Sequence, residues 1–144
     1  MSKSNFVGFR HLQELDIQYF SNDFLFIGDL CFLKGDNLVT NYKLASIGSE
    51  IIGLSMYNVI LADINNYRIN QRDQYEVPSG SKIQILRKGT ICLQFPVKWK
   101  IPRGQKLYAD AVSGKISWRK GLKYCKTTSA QNTSGHILAE VNFD

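Results

Sequence analysis

Thr90–Ile101 reads TICLQFPVKWKI and is apolar at every odd position: Ile91, Leu93, Phe95, Val97, Trp99 and Ile101. A side-chain period of two marks a strand with one face buried, and Lys98 and Lys100 make the other face basic. KIQILR (Lys82–Arg87) precedes it, with Lys88-Gly89 between the two runs. That pattern predicts a β-hairpin with a tight turn at Lys88-Gly89. Pro96 has no N–H to give to a ladder, which places its strand at an edge or a bulge. The apolar positions Phe95, Val97, Trp99 and Ile101 are assigned to the core or a subunit interface.

The same pattern recurs on both sides. DFLFIGDLCFL (Asp23–Leu33) is aromatic-rich and ends at the turn signal KGDN (Lys34–Asn37). EIIGLSMYNVILADI (Glu50–Ile64) carries Gly53 and Asn58 and predicts two short strands. After the turn PRGQ (Pro102–Gln105), KLYADAV and KISW predict two more strands, with SGK between them. Residues 119–135 are basic and then Ser/Thr/Asn-rich, and read as a connection. HILAEVNF (His136–Phe143) alternates again, as a last strand that closes or edges a sheet. Short strands with turn signals every roughly 8–12 residues predict an all-β fold, a small β-barrel or β-sandwich, over residues 23–144. Residues 1–22 stand apart: Phe6, Phe9, Leu12 and Leu15 lie three apart, which predicts an N-terminal arm or short helix that orders on docking.

Composition adds location and charge. With 144 residues, 44% hydrophobic and 21% charged, the chain has globular values and the length of one domain. No apolar run is long enough to span a membrane, and Met1–Ser4 is not followed by a signal-peptide h-region. Three cysteines without a CxxC spacing, Cys31, Cys92 and Cys125, read as buried reduced thiols, as in a protein made in a cytoplasm. The net charge of +6 is uneven: residues 1–81 carry 6 basic and 9 acidic side chains, whereas residues 82–126 carry 12 basic and only Asp110. A positive field on one third of the chain reads as a solvated, solubilising face, as a groove for nucleic acid or as a dock for an acidic protein surface.

Candidate chemistry is sparse. The two histidines, His11 and His136, are far apart in sequence, and no HxxxH, CxxC or Asp-rich loop indicates a metal. No nucleophile elbow, P-loop or dinucleotide fingerprint occurs. Asp63, Asp73 and Glu76 are the loop carboxylates available for acid–base work, with no spacing that selects them. The expectation is a non-enzymatic protein with no cofactor and no metal. Its basic side chains Lys98, Lys100, Arg103, Lys106, Arg119, Lys120 and Lys123 form a rim for an acidic protein surface. Alternatively they track phosphates in a nucleic-acid-binding barrel, with Tyr108, Trp118 or Tyr124 stacking on bases.

The order of turns resembles the structural cement, or head decoration, proteins of tailed bacteriophages. The matching stretches are QILRKGTICLQF (Gln84–Phe95), IPRGQKLYAD (Ile101–Asp110), VSGKI (Val112–Ile116) and GHILAEVNFD (Gly135–Asp144), with GSEIIGLSMYNVI (Gly48–Ile60) upstream. Arg103-Gly104-Gln105 stands where that family commonly has Ala-Gly-Asp. The resemblance implies a non-catalytic β protein of the virion that binds major capsid proteins on the outer capsid surface. It also implies a homo-oligomer, dimer or trimer, on a local symmetry axis.

Overall fold

The computed structural model describes residues 5–23, 25–43, 45, 49–69, 75–110, 113–118, 121 and 123–144. The fold is all-β. In chain order the strands are β1 (Phe6–Ser21), β2 (Leu25–Phe26), β3 (Leu30–Gly35), β4 (Leu38–Thr40) and β5 (Ile51–Met56). Helix α1 (Val59–Ile64) leads to β6 (Arg68–Ile69), β7 (Tyr75–Val77) and β8 (Lys82–Gln94). A 3-10 turn (Val97–Trp99) then precedes β9 (Lys106–Asp110), β10 (Lys115–Ser117), β11 (Lys123–Thr127) and β12 (His136–Asn142).

β8 is the organising strand. On one side it pairs with β1 over its whole length, from Phe6↔Leu93 to Phe20↔Lys82. On the other side its first half pairs with β5 and its second half with β12. Following hydrogen-bonded neighbours, β1, β4, β3, β5 and β8 return to β1, so five strands close into a ring. From β8 the sheet also runs outward through β12, β11 and β9 to β10. All five ring strands contribute to one apolar cluster: Tyr19, Cys31, Val39, Ile52, Ile83 and Ile85, joined by Leu25 and Val77 of the small sheet β2-β7-β6. That cluster therefore fills the ring, and the small sheet caps it. Leu30, Phe32, Ile51, Leu54 and Leu86, from the same ring strands, belong to the larger cluster. There they meet Ile91, Leu93, Leu107, Ile137, Ala139, Val141 and Phe143 of the extended sheet. Barrel and two-layer packing are thus combined, with β8 common to both.

Several expectations are corrected. Lys88-Gly89 is not a hairpin turn; β8 runs straight through it. A Cβ at Gly89 would lie 2.3 Å from the His11 carbonyl oxygen, so glycine there admits the close approach of β1 where three strands meet. The strand ends at Gln94, and Pro96 begins the 3-10 turn instead of bulging a ladder. Val97 is consequently exposed and Trp99 only partly buried, while Phe95 and Ile101 are core. The second half of Glu50–Ile64 is helix α1, because the Asn58 side chain accepts from the N–H groups of Ile60 and Leu61 and caps it. Residues 119–135 contain strand β11. β12 is interior, between β8 and β11, rather than at an edge.

Among the described residues no helix forms near the N-terminus. β1 resolves the three-residue apolar spacing differently: Phe6, Phe9 and Leu12 face Leu93, Ile91 and Gly89, three residues of β1 for every two of β8. The extra residues are β-bulges, which let a period of three lie along a period-two partner. Phe6 packs on Gly28, whose φ of 96° and lack of Cβ both admit the ring.

Candidate binding surface

The loop after β8 is held by one side chain. Gln131 donates from Nε2 to the carbonyls of Phe95 (2.9 Å) and Pro96 (3.0 Å), and its Oε1 accepts from the Ile101 N–H (3.0 Å). Lys100 closes the 3-10 turn in the left-handed region with φ 49°. With both ends fixed, Lys98 and Lys100 stand exposed. The next turn is fixed by Thr127. Its hydroxyl donates to the Pro102 carbonyl (2.8 Å) and accepts from the Gln105 N–H (2.8 Å), while its carbonyl accepts from the Gly104 N–H (2.9 Å). Arg103 is exposed at this turn.

An aromatic ladder runs outward beside these cations. Phe95, in the core, lies 5.7 Å from Trp99, and Trp99 stacks on Trp118 at 4.8 Å and 18° between planes. Trp118 is 44% exposed, so the ladder ends at the surface. Tyr108 and Tyr124 form a second aromatic pair, facing each other across β9 and β11 with ring centroids 6.3 Å apart. Lys106 and Lys126 are the next facing pair, and the Lys106 ammonium lies 5.4 Å over the Tyr124 ring. Lys126 belongs to this face although the sequence reading left it out; its signal was the alternation Tyr124, Lys126 against the buried Cys125 and Thr127.

The structure thus brings Lys98, Lys100, Arg103 and Lys106 onto pinned loops and an exposed sheet face. Lys123 is diverted, its Nζ donating to the Phe143 carbonyl at 2.5 Å. Arg119 and Lys120 lie outside the described residues, as does Asp73. Other cations are engaged on β8, where the ring and the extended sheet meet. Arg87 and Lys88 both pair with Asp144 at 3.1 Å, and Lys88 also reaches Glu14 at 3.6 Å. The Lys88 ammonium holds the Asp144 carboxyl below its ordinary range, and Asp144 in turn raises Lys88.

The groups capable of bond-making chemistry sit elsewhere. Burial pushes the thiol of Cys31 up and that of Cys125 up to about 12, which leaves them as poor nucleophiles at neutral pH. Asp29 is raised to about 6, first by burial, and accepts from the Phe26 N–H at 3.0 Å in a turn locked by Ser55. His11 is on β1 opposite Thr90, and His136 opens β12 opposite Gln94. Asp63 is on α1, and Glu76 faces Arg68 between β7 and β6. Among the described residues no three His, Cys, Asp or Glu side chains gather as a metal site.

The chain matches no protein-family model and no curated protein.

Proposed function

We propose that the protein is a non-enzymatic virion structural protein, made in the host cytoplasm, that binds the outer surface of a phage capsid and stabilises contacts between major capsid proteins. One observation carries the reading: Lys98, Lys100 and Arg103 stand on two pinned loops beside an aromatic ladder that ends at exposed Trp118. Protein interfaces are enriched in aromatic and Arg anchors surrounded by a polar rim, and pre-formed loops lower the entropy lost on docking. Many copies on a symmetric shell multiply a modest single contact.

A nucleic-acid-binding barrel is the second reading, favoured by the Tyr108–Tyr124 pair flanked by Lys106 and Lys126. Salt separates the two. Binding to heads of the encoding phage, assembled without this protein, is expected to weaken with salt but to retain its apolar part. Single-strand binding would fall in log K by about 0.7 per phosphate contacted for each unit of log salt. Tight, steeply salt-dependent oligonucleotide binding without head binding would replace the first reading by the second.

A further inference from the structure

The small sheet β2-β7-β6 has a face that the barrel core does not use. Leu25 and Val77 are paired and buried in that core, so their neighbours Phe26, Glu76 and Arg68 form a cross-strand row on the opposite face. Beside this row the turn from α1 into β6 walls a cleft of about 370 Å³, lined by Asn65, Asn66, Arg68, Glu76 and Pro78. That volume is in the range of small-molecule sites. None of these residues belongs to the basic surface described above.

The walls of the cleft are fixed. Asn65 closes α1, its N–H and its side-chain amide both donating to the Leu61 carbonyl at 2.9 Å. Asn66 takes the left-handed conformation, with φ 55°, and the Tyr67 N–H returns to the Ala62 carbonyl at 3.0 Å. The Tyr67 hydroxyl then donates to the Lys82 carbonyl at 2.7 Å and ties the turn to β8.

Two opposite charges line this cleft without using each other. Glu76 and Arg68 face each other directly across an antiparallel pair. Yet among the described residues neither side chain makes an ion pair or a hydrogen bond. Side chains at such positions leave Cβ atoms about 5 Å apart, so one small molecule can touch both. A ligand that is only anionic is repelled by the Glu76 carboxylate, and one that is only cationic by the Arg68 guanidinium. A ligand that carries both charges on neighbouring atoms satisfies both walls.

We propose that this cleft binds an α-amino acid with an apolar side chain. The ligand carboxylate takes the paired N–H donors of the Arg68 guanidinium and the Asn66 amide. The ligand ammonium donates to the Glu76 carboxylate and to the Asn65 Oδ1, which the helix cap leaves open. The ligand side chain then lies toward Pro78 and Phe26. The inference is independent of any capsid.

The test is titration of the full chain with millimolar L-leucine, followed by the NMR shifts of the backbone amides. N-acetyl-leucine, which lacks the ammonium, and leucinamide, which lacks the carboxylate, are the controls. Saturable shifts are expected with leucine at Asn65, Asn66, Arg68 and Glu76, and each control is expected to bind about tenfold more weakly or worse. Arg68→Gln and Glu76→Gln are expected to weaken leucine binding by a similar factor, with spectra elsewhere like those of the wild type. The comparison of leucine with its two analogues on the wild type stands even if a variant does not fold. No saturable shift at these residues with leucine, equal binding of leucine and either analogue, or unchanged affinity in a folded variant each overturns the proposal.

Discussion

The Gln131 side chain bonds the carbonyls of Phe95 and Pro96 and the N–H of Ile101, and so ties the β11–β12 connection to both ends of the 3-10 turn bearing Lys98. Removing it leaves the N–H of buried Ile101 without its acceptor. Gln131→Ala is expected to lower stability by about 1–3 kcal/mol, read as a shift in the urea midpoint, and to change the fluorescence of the Trp99–Trp118 stack. An unchanged midpoint and spectrum would contradict that anchoring role. Asp29 makes a pH prediction. The folded chain holds its proton up to about 6, whereas the unfolded chain releases it near 3.8. The stability tied to this group is therefore full below 3.8 and lost as pH rises through 6. Asp29→Asn keeps an acceptor for the Phe26 N–H and should flatten that fall; equal pH slopes for variant and wild type between pH 4 and 7 would contradict it. Neither role was legible in the sequence. Gln131 sits in a Ser/Thr/Asn-rich stretch that reads as linker, and its partners are 30 to 36 residues away.

At the scale of the element, β12 was legible and β1 was not. Ile137, Ala139, Val141 and Phe143 alternate without interruption because β12 pairs regularly with β8. In β1 the apolar spacing of three suited a helix, since nothing local reveals that a partner 70 to 90 residues away accepts three residues for two. The turn signal at Lys88-Gly89 misled for a similar reason: glycine marks close approach as well as reversal. α1 is too short to display a period. Gly89 offers the test of the junction. Gly89→Ala puts a methyl against the His11 carbonyl and is expected to cost about 1–3 kcal/mol, with loss of hydrogen-exchange protection concentrated in β1. Uniform protection and unaltered stability would show that β1 does not depend on this contact. Wild-type β1 should be protected in the isolated chain at residues paired to β8, in contrast to an arm that orders only on docking.

At the scale of the molecule, the closed ring buries one core, the extended sheet a second, and the charged loops connect β8 to β9. The uneven charge seen in the sequence is divided by the fold: Arg87 and Lys88 stabilise the sheet junction, while Lys98, Lys100 and Arg103 are left to solvent on pinned turns. Nothing in the local pattern separated these two groups, because the difference lies in the position of Asp144, more than 50 residues away. The central claim is that the exposed group meets an acidic capsid surface. The most direct measurement of the proposed reading is co-sedimentation with phage heads assembled without the protein, comparing the wild type with Lys98→Glu/Lys100→Glu/Arg103→Glu, together with the temperature at which the heads rupture. The wild type should bind saturably and raise the rupture temperature, and the triple variant should fold but do neither; failure of the folded wild type to bind such heads, or equal binding and protection by the triple variant, would contradict the account.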